Sequence, residues 1–237
     1  VLQYINVNGE PAHGKRLKAF KEKLPFTQIV YSYGLSEAGV RVTQGVFSSD
    51  DDATPSVGRP LDDVEIRIEK MTAMGTNLPD GVGRIAVRSP SIMVGYFAEG
   101  FDTASVDDGW LKTEDLGRLD ADGSLYIYGR LDDAMLRGGE VIHPEAIEST
   151  LRSVAGLHDC AVFHTDTGAF VRIVCAYVAD EAVDQSILRT ACKESLPAYS
   201  LPNEYVRVEQ LGLGSSGKMS RRHLKDLYIA GNLASRA

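Results

Sequence analysis

The sequence predicts an α/β layer that gives way to antiparallel β structure and then to a separate α+β unit. Three observations carry this. Residues 4–7, 15–24 and 28–31 read as strand, helix and strand. Short strands at 64–69, 83–89 and 124–128 are divided by the turn signals Pro79-Asp80-Gly81 and Asp120-Ala121-Asp122-Gly123. Beyond Arg130 the pattern alternates between helical and strand periods up to 229.

Taken in order, the first three elements form a β-α-β unit. Residues 39–60 hold Gly, Ser, Asp and Pro and are expected to be loop-rich. The strands that follow predict a mostly antiparallel section, a small barrel. Residues 144–154 predict a helix, with Pro144 in its first turn and Ala146, Ile147, Leu151 and Val154 apolar. Strands are expected at 160–164, 171–178 and 205–208, and helices at 184–195 and 221–229. The boundary falls at 130–133, which divides the chain into domains 1–131 and 132–237.

The 237 residues allow one large domain or two smaller ones. With 43% hydrophobic and 24% charged residues, composition is that of a soluble globular protein. No apolar run approaches the ~20 residues that span a bilayer. Residues 1–5 lack the basic region and core of a signal peptide, and an opening on Val places the natural start upstream. A net charge of −8 gives a nucleic-acid partner no global support. Asp50-Asp51-Asp52 reads as a solvated loop. Cys160, Cys175 and Cys192 show no disulfide or zinc spacing, which leaves buried reduced thiols in a cytoplasmic protein.

Four stretches carry candidate chemistry. The first, 31–39, holds Tyr33, Gly34, Ser36 and Glu37. These offer a ring for a base, a hydroxyl for phosphate and a carboxylate for Mg²⁺. A strand end with Ser36 capping a helix is the alternative. In the second, 108–119, Asp115 follows an apolar strand and suits two ribose hydroxyls, or else a polar turn. The third joins Gly129 and Arg130 to Gly138 and Gly139, where a ligand can approach the backbone, or where a hairpin needs glycine. The fourth, 212–219, fits the G-x-x-x-x-G-K spacing, yet Met219 stands where Ser or Thr would ligate Mg²⁺. Too little chain follows it for the parallel sheet of a P-loop enzyme. Lys218 remains a good electrophile for a phosphate or carboxylate.

In this order, and with Val57-Gly58-Arg59-Pro60, 83–90 and Met93-Val94-Gly95-Tyr96, the segments resemble the adenylate-forming superfamily of acyl-CoA synthetases, adenylation domains and luciferases. The resemblance covers nearly the whole chain. It implies the end of a large α/β N-terminal domain with a small β-barrel subdomain, followed by a compact mobile α+β C-terminal domain. It also implies ATP-dependent activation of a carboxylic acid to acyl-AMP, then thioester formation with CoA. Loading of a carrier-protein phosphopantetheine, and a non-catalytic nucleotide-binding fragment, are the rival readings. By the resemblance Gly9, Glu10 and Pro11 line the adenine pocket, Tyr33 stacks on the base beside Gly34, Ser36 meets the α-phosphate and Glu37 binds Mg²⁺. Asp115 and Arg130 hold the ribose, and Lys218 stabilises the reacting carboxylate and α-phosphate. Asp132 is the hinge, and Gly138 and Gly139 line a pantetheine tunnel.

Several departures are visible. No Ser/Thr/Gly-rich loop for the β- and γ-phosphates is present, so turnover belongs to a longer parent chain. Ser36 stands for the usual Thr, and Glu114 for the usual Gly. Arg137 replaces a small residue, where it either reaches a CoA phosphate or is solvated. Gly212-Leu213-Gly214 replaces a Pro-Lys-Thr-like run.

Overall fold

A computed structural model describes residues 2–9, 12, 14–48, 55–71, 78–97, 101–102, 106–166, 171–211 and 219–233. Two compact units are present, one ending at Leu131 and the other beginning at Asp132.

The first unit opens with β1 (Tyr4–Val7), α1 (Gly14–Lys23) and β2 (Gln28–Leu35), and β1 pairs parallel to β2. A parallel pair requires a crossover, which α1 supplies. Then β3 (Gly39–Val46) folds back on β2, and β4 (Arg59–Pro60) pairs with β3. The stretch 39–60 is therefore not all loop. Its Gly and Gln residues hide an ordinary strand in which Val42 and Thr43 are wholly buried. The Thr43 hydroxyl donates to the Val57 carbonyl at 2.7 Å, which satisfies a polar group inside the core. Residues 36–38 form the turn of the β2–β3 hairpin, so Ser36 does not cap a helix.

A second sheet in this unit comprises β5 (Glu65–Glu69), β6 (Gly83–Arg88), β9 (Val106–Asp107), β10 (Trp110–Leu119) and β11 (Leu125–Arg130). Its main path runs β11-β10-β6-β5, antiparallel throughout. β7 (Tyr96–Phe97) and β8 (Phe101–Asp102) form a separate short ribbon. One apolar cluster joins both sheets, with Leu17, Ile29, Tyr31 and Val42 from the first and Ile85, Val87, Leu111 and Leu125 from the second. Backbone bonds also tie them, Val57 N to Leu125 O at 2.9 Å and Leu125 N to Gly58 O at 2.8 Å. Gly58 sits at φ +85°, and a Cβ there would lie about 2 Å from the Gln44 backbone, so no other residue fits.

The second unit begins with a hairpin, β12 (Met135–Arg137) and β13 (Glu140–Ile142). Then follow α2 (Pro144–Leu151), β14 (Leu157–Asp166), β15 (Val171–Ala179), α3 (Gln185–Ser195), β16 (Glu204–Arg207) and α4 (Arg221–Ile229). β14 pairs antiparallel with β15, and β15 parallel with β16. Strand alternation sends Cys160, Val162, Ile173 and Cys175 into one cluster with Ile147, Leu151, Leu188 and Cys192 of α2 and α3. Ala161, Phe163, Val174 and Ala176 join Leu224 of α4 in another. A sheet buried on both faces explains the apolar run of β15 after Arg172. All three cysteines are free and buried. Asp184 caps α3 by accepting from Ser186 N and Ile187 N, and Ser220 caps α4 by accepting from His223 N.

Arg221, at the start of α4, is the electrostatic centre of this unit. Its guanidinium meets Asp133 at 2.6 Å, Glu145 at 2.9 Å and Glu148 at 3.0 Å, and its Nε donates to the Val162 carbonyl at 3.1 Å. Glu148 also accepts from Val162 N at 2.8 Å. Burial raises the Glu145 carboxyl to about 7, against the downward pull of Arg221.

Candidate active site

In the first unit, three predicted residues from three strands converge. Asp115 and Arg130 are direct cross-strand partners in β10 and β11, which puts their side chains on one face. Arg130 Nη1 donates to Asp115 Oδ1 at 3.1 Å. Tyr33, from β2 in the other sheet, donates its hydroxyl to Asp115 Oδ2 at 2.5 Å. Asp115 lies inside β10 rather than after a strand, and Thr113 fixes it there. The Thr113 hydroxyl donates to the Ile85 carbonyl at 2.8 Å and accepts from Asp115 N at 3.1 Å. Burial and the Asp115 charge push the Tyr33 phenol well above its ordinary range, so it stays a neutral donor. The Asp115 side chain is 15% exposed and Arg130 48%, so a mostly buried carboxylate sits beside a half-exposed cation.

The turn after β2 carries the next candidates. A Cβ on Gly34 would lie 2.0 Å from the Val40 carbonyl oxygen, so the hairpin itself requires glycine there. Ser36 is exposed and Glu37 half-buried. Glu37 Oε1 accepts from the Tyr96 hydroxyl at 2.7 Å. Among the described residues no group of three His, Cys, Asp or Glu could hold a metal. A magnesium ion, which takes one or two carboxylates plus substrate phosphates, fits a lone carboxylate such as Glu37. Gly9 follows β1 at φ 84° and is exposed, while Glu10 and Pro11 lie outside the described residues. Ala12 N donates to the Tyr31 hydroxyl at 2.7 Å. Sequence reasoning gave no role to Tyr31, Thr113 or Tyr96; their signal lay only in their nearness to the motifs.

In the second unit, Asp132 is exposed in the turn that opens it. Gly138 and Gly139 make the two-residue turn of the β12–β13 hairpin at φ 64° and 87°, and a Cβ on either would meet nothing. Backbone conformation, not crowding, calls for glycine there. Arg137 is not wholly solvated, since its Nη1 donates to the carbonyls of Tyr199 and Leu201 at 3.3 and 3.1 Å. Lys218 and Gly212-Leu213-Gly214 lie outside the described residues.

Residues 2–97 match the AMP-binding enzyme family. A 2-succinylbenzoate–CoA ligase of Bacillus licheniformis is 34% identical over 227 residues, 94% of this chain and 46% of the ligase. The solved O-succinylbenzoate coenzyme A synthetase of Bacillus subtilis in complex with AMP is 32% identical. It aligns with a TM-score of 0.76 over 94% of this chain and 46% of its own. Over residues 2–97 this chain matches that family, and over nearly all its length it is similar to these CoA ligases. The same synthetase in complex with ATP and magnesium aligns at 0.75, with 31% identity and the same coverage. The chain spans about half the length of the curated relatives it matches. It shares the mixed α/β architecture of these enzymes. No helix among the described residues is long and apolar enough to cross a membrane.

Proposed function

We propose that the parent of this chain activates a carboxylic acid with ATP and transfers the acyl group to CoA. The convergence of Tyr33, Asp115 and Arg130 supports this most directly. In the first step a carboxylate oxygen attacks the α-phosphorus, the bond to the β-phosphate oxygen breaks, and pyrophosphate leaves. In the second a thiol attacks the acyl carbon, AMP leaves with the electron pair of the broken C–O bond, and the thiol proton is lost. Phosphoryl chemistry of this kind is mainly positioning and charge stabilisation.

On this reading Gly9, Glu10 and Pro11 border the adenine and Tyr33 presents its ring to it. Asp115 and Arg130 engage the ribose hydroxyls, Ser36 the α-phosphate and Glu37 the magnesium ion. Lys218 stabilises charge as the adenylate forms. The second sheet of the first unit is the small-barrel subdomain, and domain 132–237 is the mobile one. It turns at Asp132 and brings Gly138 and Gly139 to the pantetheine arm for the second step. A hinge of this kind lets one site serve two reactions. The names of the relatives favour CoA over a carrier protein, and make 2-succinylbenzoate the first acid to test.

In the parent chain, Asp115→Ala is expected to weaken AMP binding about 10- to 100-fold, the loss of hydrogen bonds to a charged acceptor. The ribose reading further requires that 2′,3′-dideoxy-AMP bind the unaltered protein as poorly, with no further loss in the variant. Equal affinity of the unaltered protein for AMP and the dideoxy nucleotide, by calorimetry, would remove Asp115 from the ribose.

A further inference from the structure

The turn that carries Glu37 is gripped by a segment to which the reaction assigns no part. After β6 ends at Arg88, the chain passes back across residues 36–39 before entering β7. Met93 N donates to the Glu37 carbonyl at 2.8 Å. The Ser89 hydroxyl reaches the Ala38 carbonyl at 3.4 Å, and a Cβ on Gly39 would stand 3.4 Å from Ser91 Cβ. The fourth contact is between side chains, from the Tyr96 hydroxyl to Glu37 Oε1 at 2.7 Å.

We propose that Tyr96 is a positioning residue that holds the Glu37 carboxylate toward the cation accompanying the nucleotide phosphates. A glutamate has three side-chain torsions, and a surface carboxylate left alone samples many of them. Here the Glu37 backbone is fixed by Met93 and one carboxylate oxygen by Tyr96. The other oxygen, Oε2, accepts no hydrogen bond from the described residues and is left for a cation. A ring on a two-residue strand, 46% exposed, gains little by packing, so its hydroxyl is the part that the geometry uses. Hydrogen bonds to a metal-binding carboxylate fix its orientation in this way.

The proposal rests on Glu37 being the magnesium-binding residue, and the experiment separates the two claims. In the full parent chain, Mn²⁺ binding is followed by the paramagnetic resonance of the free ion, with a non-hydrolysable ATP analogue present. Tyr96→Phe is expected to weaken Mn²⁺ about tenfold, to raise the Mg²⁺ needed for half-maximal pyrophosphate exchange in parallel, and to leave metal-free AMP binding and the unfolding midpoint unchanged. Glu37→Gln is expected to weaken Mn²⁺ at least as much. Unchanged Mn²⁺ affinity in Tyr96→Phe, with a loss in Glu37→Gln, would overturn the positioning role and leave the function standing. Unchanged affinity in Glu37→Gln would show that Glu37 is not the metal residue, and Tyr96 would fall with it. Weaker metal-free AMP binding in Tyr96→Phe would show a disturbed pocket and also overturn the proposal.

Discussion

Alanine at position 218 of the parent chain is expected to slow acyl-adenylate formation about 10²- to 10³-fold, the usual cost of removing one preorganised donor from developing charge. Transfer from preformed acyl-AMP to CoA is expected to change by no more than a few-fold, because the proposed role of the lysine is confined to the first step. The sequence next to Lys218 supports this assignment. Met219 packs against the cluster of Phe163 and Leu224. Ser220 caps α4, and Arg221 is bound by three carboxylates. Pyrophosphate exchange and thioester formation, assayed separately, test both halves. Equal loss in the two would mean that Lys218 serves folding or binding in general, and no loss in exchange would remove its role.

Replacing Arg221 with methionine is expected to destabilise the second unit by about 3–5 kcal/mol, the penalty for breaking a buried ion cluster from one side. The side chain is 15% exposed and answers Asp133, Glu145 and Glu148, the last of which is 3% exposed. Methionine fills similar space but leaves those carboxylates facing one another. The loss also depends on pH. The Glu145 carboxyl titrates near 7 in the folded protein, above its ordinary value of 4.5, so the folded state holds that proton more tightly than the unfolded chain does. Its share of stability is therefore present at low pH and is lost as pH rises through 7. Without Arg221 the carboxyl binds its proton more tightly still, and the penalty is expected to be larger at pH 8 than at pH 5. Arg221→Lys is expected to fall between, because an ammonium cannot fork across several carboxylates. Denaturant unfolding at the two pH values measures this. A change below about 1 kcal/mol at pH 8 would mean that the cluster is solvated.

Where a sequence period was clean, the elements were legible. The Pro144 helix start, the apolar run of β15 after Arg172 and the amphipathic α3 all follow from local pattern. β3 was not legible, because its glycines and polar residues look like loop, while its partner strands decide its conformation. The same holds for the length of β10, whose polar middle spans an irregularity between its pairing with β6 at Lys112 and with β11 at Asp115. At the site, Asp115 and Arg130 stand fifteen positions apart, a spacing that no single motif announces; antiparallel register makes them neighbours. Tyr33 joins them across 82 positions, and Tyr96 meets Glu37 across 59, which only the packed fold reveals. The bonds from Arg137 to two backbone carbonyls were likewise invisible in the sequence, since their partners lie more than sixty positions away.

The central claim is that this chain belongs to a protein that adenylates a carboxylic acid. Exchange of labelled pyrophosphate into ATP by the full parent chain, with and without acid, tests it most directly. The account predicts exchange that depends on acid and magnesium, highest with 2-succinylbenzoate or a related aryl acid and lost in Asp115→Ala. Exchange that is absent with every acid of an aryl, fatty and small-acid panel, from a folded parent that still binds AMP, would contradict it and leave a nucleotide-binding protein without this chemistry.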